Sequence, residues 1–293
     1  MRKKIESKYS FLDTLNLKKL FIEKGWSGMD EFNNFFENYC LFMERLDSHQ
    51  HKLVRDLTAD FLWLRSSDYY KHLKRTLLKL EDYSYLNLDT VYVVPLLAKS
   101  DRDANKTKSS GTVAYACQNP LLKYSDLFVN TNFRIIDDLE RLPDVNKLKG
   151  RKNPILLIDD FIGSGDTALE ALNEVLNIKG YDNETLFVAS LVCQEMGLNV
   201  INDRGYKVLA DIIRKRGISD KYKGEELDRN IKLMESIEKI LELDHKFKAK
   251  YKFGYKSSEG LVTMTRTPNN TFPLYWFQAQ LDKTNKWKAP FPR

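Results

Sequence analysis

Residues 155–167 run Ile-Leu-Leu-Ile-Asp-Asp-Phe-Ile-Gly-Ser-Gly-Asp-Thr, and no other stretch constrains the chain as much. Four large aliphatic residues in succession predict a strand buried on both faces, which belongs in a parallel sheet covered by helices. Two carboxylates, Asp159 and Asp160, close that run, where open α/β sheets bind their ligands. The loop of Gly163, Ser164, Gly165, Asp166 and Thr167 then opens a helix over residues 168–179, whose first amides and positive dipole end suit a phosphate. Ribose hydroxyls beside a phosphate are the ligand parts that such a surface accepts.

Other readings compete for the same residues. The run from Gly163 to Ala168 fits a G-x-G-x-x-A dinucleotide fingerprint, but four residues separate its first glycine from the aliphatic run. A methyl-donor site of an S-adenosylmethionine-dependent methyltransferase shares an Asp-x-x-Gly-rich turn, yet its catalytic Pro-Pro-Tyr type tetrapeptide is missing because the chain has no Pro-Pro pair. A Walker loop needs lysine where Asp166 stands. An ordinary strand-turn-helix with Asp166 serving the helix N-terminus is the plainest alternative. It leaves the adjacent aspartates unexplained.

The strand periodicity extends along the chain. Thr90 to Val94, Thr185 to Val192 and Lys207 to Ile213 read as further strands alternating with helices, which predicts a doubly wound, mainly parallel sheet with right-handed crossovers. Before them, residues 11–82 read as helical, with Leu53, Leu57, Phe61 and Leu64, and then Tyr70, Leu73, Leu77 and Leu80, as core stripes. Domain boundaries are expected at 1–89 for the helical region, 90–224 for the α/β core and 225–293 for a C-terminal helix plus β extension packing on the core. Lys99 is a candidate anion contact after the first strand, and residues 100–111 are polar and basic enough to form a mobile lid.

Past residue 225 a helix to about residue 246 is expected, with Leu227, Ile231, Met234, Ile237 and Leu241 on its core face. From 245 to 256 lysines and aromatics alternate, predicting a strand with one basic face, either a lysine-protected edge or a nucleic-acid surface. The later Thr-Pro-Asn-Asn reads as a turn between two short strands. Asn269, Asn270 and Thr271 at that turn are candidate substrate contacts. Leu261, Val262, Leu274 and Trp276 are too few for a core of their own and are expected to bury against the main sheet or a partner.

Composition narrows the class further. The formal charge of +6 favours an anionic partner such as phosphate or nucleic acid. Three widely spaced cysteines suggest neither a disulfide framework nor a zinc site. The N-terminus lacks an uninterrupted apolar stretch, and no run approaches the ~18 apolar residues of a membrane span. A cytoplasmic location is expected, with no membrane partner. His49 and His51 read as surface residues.

The four apolar residues, two acidic residues, short loop, glycine and threonine resemble the phosphoribosyl pyrophosphate motif of type I phosphoribosyltransferases. Together with the Leu-Val and Thr-Pro-Asn-Asn-Thr tail ending in a tryptophan, they resemble a phosphoribosyltransferase-like family with a C-terminal extension found in bacterial conflict and antiphage defence systems. The resemblance implies that Asp159 and Asp160 orient the ribose and hold Mg²⁺, and that Gly163, Ser164, Gly165, Asp166 and Thr167 wrap the 5'-phosphate. It further implies that Lys99 assists the leaving pyrophosphate. Phosphoribosyl pyrophosphate would be the substrate of a glycosyltransferase of the pentosyl class. Implied partners are a ribose phosphate or nucleotide ligand and a defence-system protein such as an ATPase or a reverse transcriptase. A catalytically inert nucleotide sensor or RNA-binding module using the same pocket is the alternative, because Gly163 replaces the base-acting aspartate of the 6-oxopurine branch and Asp166 adds a second anion.

Overall fold

The computed structural model describes residues 10–104, 108–144, 150–179, 181–241, 245–280 and 286–293. Its elements are α1 (Phe11–Glu23), α2 (Phe32–Met43), α3 (Ser48–Asp60), β1 (Leu62–Trp63), α4 (Tyr69–Leu78), β2 (Thr90–Pro95), α5 (Lys99–Asp103), α6 (Ser109–Ala116) and β3 (Asn132–Ile135). They continue with β4 (Ile155–Ile162), α7 (Asp166–Lys179), β5 (Leu186–Gln194), α8 (Glu195–Asn202), β6 (Lys207–Arg214), α9 (Gly224–Ile240), α10 (His245–Tyr251), β7 (Val262–Thr263) and α11 (Pro273–Trp276). The short antiparallel pair β8 (Ala279–Gln280) and β9 (Lys286–Trp287) comes last.

Two compact units emerge, Leu64–Lys215 and the combination of Met1–Trp63 with Arg216–Arg293. This grouping differs from the boundaries expected at 1–89, 90–224 and 225–293. Helix α4 packs on β5 and β6, so the sheet unit begins well before residue 90. The earlier helices join the C-terminal extension instead.

In the first unit five parallel strands lie in the order β3-β2-β4-β5-β6. The α/β architecture follows the expectation. Strand β5 is buried along its whole length, as a central parallel strand covered on both faces must be. Chain order reverses direction between β2 and β4, which makes their carboxyl ends the topological switch point where ligands bind. Helices α7 and α8 cover one face through Ala171, Leu172, Val175 and Ile201. Helix α6 packs on β2 and β4, beside α4.

Helix α4 shows a small rotation from the expected stripe. Tyr69, Leu73, Thr76 and Leu77 are its buried residues, so Tyr69 and not Tyr70 belongs to the core face. The Thr76 hydroxyl donates to the Ser190 carbonyl at 2.9 Å, and His72 Nδ1 meets Asp211 Oδ2 at 2.6 Å. These bonds fix α4 along its length.

The second unit has an aromatic core. Phe21, Trp26, Tyr39, Phe61, Tyr275 and Phe291 are buried together with Leu261 and Leu274, and Phe61 stacks on Phe291 at 4.6 Å between centroids. The tail residues Leu261 and Leu274 thus bury against N-terminal helices and α9. Strand β7 pairs in parallel with β1, Leu62 opposite Val262. After the Thr-Pro-Asn-Asn turn the chain forms α11 instead of the expected second strand. Pro273 starts that helix, a position that suits its fixed φ and missing N–H better than a ladder does.

Two further expectations need correction. Helix α9 ends at Ile240, and residues 245–251 form α10 where alternation had predicted a strand. The reason lies in the spacing: Phe247 and Tyr251 are also one helical step apart, and their rings pack at 4.8 Å. His51 is buried, 6% exposed, with Nε2 2.6 Å from the Met43 carbonyl oxygen. It is a packed core histidine on the inner face of α3.

Glu238, near the end of α9, is 2% exposed and accepts one hydrogen bond, from the Phe253 amide at 2.8 Å. Burial pushes its pKa up to about 7, against the smaller opposing effects of the Phe253 hydrogen bond, Lys252 and Lys248. Between the ordinary glutamate range and pH 7 the folded protein therefore holds a proton that the unfolded chain has lost. Stability falls as pH rises through that window. Glu238→Gln should retain the acceptor for Phe253, flatten this pH dependence and raise the melting temperature above pH 7, by about 2–4 °C for each kcal/mol recovered. Thermal melts of both proteins across a pH series check this; a wild-type slope that survives in the variant contradicts the assignment.

Candidate functional site

Strand β4 runs on through both aspartates to Ile162, with Asp159 opposite Ser190 of β5. The carboxylates are therefore held by sheet backbone and do not ride on a free loop. Asp160 is 7% exposed. Its Oδ2 accepts from the Tyr69 hydroxyl at 3.0 Å, and its Oδ1 from the Ser109 hydroxyl at 2.8 Å. Asp159 Oδ1 accepts from the Asp160 amide at 2.8 Å and from the Ser109 hydroxyl at 3.4 Å. Ser109 is the first residue of α6, so a helix N-terminus adds its partial positive charge beside the pair.

Two adjacent carboxylates, one buried and one half-buried, repel one another. Burial is the largest cause, and the Asp160 charge the next, that raise the Asp159 pKa well above the ordinary range. The free protein thus keeps a proton on the pair under conditions where an exposed aspartate is ionised. Hydroxyl donors or a cation arriving there favour the ionised form and expel that proton.

The glycine loop follows directly. Gly165 adopts φ +84°, the left-handed region that glycine enters without penalty, and its carbonyl accepts from Leu169 to begin α7. Helix α7 starts at Asp166, two residues earlier than expected. The Ser164 hydroxyl donates to Asp166 Oδ2 at 3.0 Å. Gly197 in α8 lies against this loop so closely that an added Cβ would collide with the Gly163 carbonyl oxygen. Its hydrogen side chain lets α8 support the turn.

Lys99 is exposed at the start of α5, and its backbone N–H donates to Glu170 Oε1 of α7 at 2.9 Å. Because Pro95 pairs with Ile158, the connection into α5 leaves the sheet at the same edge as the aspartates. The segment 100–111, expected as a loop, is helical at 100–103 and again from Ser109, while residues 105–107 lie outside the described positions. Ion pairs between Lys108 and Asp101 at 3.0 Å and between Arg102 and Glu174 at 3.6 Å accompany these helical segments.

A model of the PRTase-CE family matches residues 87–293. The chain belongs to this family of phosphoribosyltransferases with a C-terminal extension. A search of curated proteins found no match. Among solved structures, a hypothetical protein from Neisseria gonorrhoeae with bound ppGpp is similar at 14% identity and a TM-score of 0.33, over 60% of this chain and 97% of that one. A likeness that slight carries no argument here.

The PRTase-CE match includes the second unit's tail. There the Asn269 carbonyl accepts from the Tyr255 amide at 2.9 Å, and the Asn270 carbonyl accepts from the Gly260 amide at 2.9 Å and from the Ser258 hydroxyl at 2.8 Å. The Thr271 hydroxyl donates to the Val262 carbonyl at 2.6 Å, and Trp276 Nε1 donates to the Thr271 carbonyl at 2.7 Å. Gly254 and Gly260 leave no room for a Cβ against the Asn270 carbonyl. These bonds give the Asn-Asn-Thr turn a structural role: it organises residues 254–262 around itself.

Asp159 and Asp160 offer the hard oxygen donors that Mg²⁺ prefers. Among the described residues no group of three or more His, Cys, Asp or Glu side chains converges as a metal cluster. Any Mg²⁺ held by the pair would complete its shell with substrate oxygens and water. Sequence reasoning missed Tyr69, Ser109 and Gly197. Tyr69 sits one residue from the stripe it was expected to follow, and Ser109 lay inside a segment taken for a lid.

Two outcomes follow from this geometry. Asp159→Asn keeps the acceptor for the Asp160 amide and removes the repulsion. The variant should melt about 2–4 °C higher per kcal/mol recovered at pH values above the raised Asp159 pKa, and the gain should vanish toward acid pH, where both proteins carry a neutral side chain. Equal melting temperatures across the pH series contradict a buried, repelled pair. Gly197→Ala should destabilise the sheet unit by about 1–3 kcal/mol by forcing the Gly163 turn and α8 apart, as read from denaturant unfolding; an unchanged midpoint contradicts the close approach.

Proposed function

We propose that the protein binds phosphoribosyl pyrophosphate, or a related ribose phosphate, with Mg²⁺ at the carboxyl edge between β2 and β4, and transfers or cleaves the ribosyl group. The observation that carries this reading is the hydrogen-bonded Asp159-Asp160 pair at the switch point, immediately before a glycine turn that opens α7, in a PRTase-CE chain. Ribose O2' and O3' hydroxyls donate to the two carboxylates, with Tyr69 and Ser109 holding Asp160 in place. The 5'-phosphate takes the backbone amides of residues 163–167 and the α7 N-terminus. Asp159 and Asp160 would hold Mg²⁺, which would supply charge neutralisation for the substrate's phosphates. Lys99, exposed where the chain leaves the same sheet edge, would meet the developing charge on the pyrophosphate leaving group as the C1–O bond breaks.

The resemblance to conflict-system proteins extends the proposal to an antiphage effector acting with a partner protein. One observation favours the non-catalytic alternative, a nucleotide sensor. The Ser164 hydroxyl is engaged by Asp166, so a phosphate in the turn must compete with a carboxylate.

Isothermal calorimetry should show binding of phosphoribosyl pyrophosphate that depends on Mg²⁺ and is lost in the Asp159→Asn, Asp160→Asn double variant, with its circular dichroism preserved. Equal affinity in the double variant overturns the site. Release of pyrophosphate from labelled substrate separates transfer from sensing: binding without turnover in the presence of candidate acceptor bases supports the sensor.

A further inference from the structure

A second site candidate lies in the unit formed by residues 1–63 and 216–293. His245, Lys248, Ala249, Lys250, Lys252, Lys256 and Ser257 line an open cavity of about 410 Å³. From 245 to 258 the sequence holds five lysines and no acidic residue. In the helix and the turn after it, Lys248, Lys252 and Lys256 recur every four residues. Beside them Phe247, Tyr251 and Tyr255 recur at the same spacing.

Each stripe has a distinct structural role. The rings are half-buried and packed: Phe247 lies 4.8 Å from Tyr251 and 4.5 Å from Phe277, and Tyr251 lies 5.8 Å from Trp276. They anchor α10 and leave its lysines exposed. Lys246, Lys248, Lys250 and Lys256 are exposed, while Lys252 is held by Glu235 at 2.7 Å. Past α10 the chain is locked into left-handed backbone at Phe253, Lys256, Ser257 and Glu259, with φ between 47° and 57°, a conformation costing about 1–3 kcal/mol for each non-glycine residue. Lys256 and Ser257, two of these four, line the cavity.

Lys248 and Lys250 belong to α10, Lys252 to the turn after it and Lys256 to the next short helical turn, so the charges are strung along the chain and do not cage one point. Such a string suits a repeating polyanion. We propose that this cavity binds the phosphodiester backbone of single-stranded nucleic acid. The exposed Lys248, Lys250 and Lys256 contact phosphates along the strand, and the exposed edges of Tyr251 and Tyr255 lie beside it. The site is independent of the Asp159-Asp160 pair.

The test is fluorescence anisotropy of the full chain with a labelled oligothymidylate over a salt series. Wild type should bind, with log affinity falling linearly in log salt. Lys248→Glu with Lys250→Glu should weaken binding at least about tenfold and lower the salt slope by about 0.7 per lost contact, at unchanged melting temperature. Lys18→Glu with Lys19→Glu on exposed α1 alters net charge equally and should leave the affinity within about twofold of wild type, the residual long-range effect being screened. Asp159→Asn with Asp160→Asn should bind as wild type, which separates this proposal from the ribose-phosphate reading. Should Lys248→Glu with Lys250→Glu lower the melting temperature, Lys248→Ala with Lys250→Ala replaces it and the same loss is required. Failure of wild type to bind, equal loss in the α1 variant, or full displacement by pyrophosphate at matched ionic strength overturns the proposal; the last outcome assigns the cavity to free phosphate compounds.

Discussion

Two neighbouring carboxylates, one buried and one half-buried, set the terms for the sheet unit. Asp159 and Asp160 lie inside β4, paired to β5, where charge is costly and a like charge beside it costs more. The structure answers with donors drawn from three places: the Tyr69 hydroxyl from α4, the Ser109 hydroxyl from α6 and the Asp160 amide from the strand itself. The raised Asp159 pKa, from burial first and the Asp160 charge second, marks the cost that remains. Such an arrangement is destabilising unless a ligand completes it, which is the ordinary sign of a binding site.

The packing around the pair follows from that need. Helix α4 is pinned by the Thr76 to Ser190 bond and by His72 on Asp211, which fixes where Tyr69 points. Gly197 lets α8 brace the turn after the aspartates, so the turn's shape is supported from behind. Side chains with no chemistry of their own thus determine where the carboxylates and amides sit. The second unit uses the same device at another place: Gly254 and Gly260 admit the Asn270 carbonyl and fold the tail around it.

Much of this was legible in the sequence because the physics was local. A short run of branched aliphatics ending in two aspartates and a glycine turn fits a covered strand better than a helix. The doubly wound parallel sheet followed from alternation with helices, whereas the strand order and the edge strand β3 did not. Residues 245–256 failed for an instructive reason. A period of two and a step of four place the same residues in register, so Phe247, Tyr251 and Tyr255 satisfy a strand and a helix alike. Packing of Phe247 and Tyr251 on Trp276 favours the helix, and that contact is not a local property. Tyr69 and Ser109 were hidden likewise, since they meet Asp160 from 91 and 51 positions away in the chain. The turn at Asn269 was legible as a turn, but Pro273 ends the extended run that was expected after it.

The central claim is that the aspartate pair holds a proton that a ribose ligand displaces. Calorimetric titration of the protein with ribose 5-phosphate and Mg²⁺, in buffers of different ionisation enthalpy, measures that proton directly. The account predicts net proton release on binding, abolished by Asp159→Asn. Binding whose heat is independent of the buffer across the pH series would contradict it.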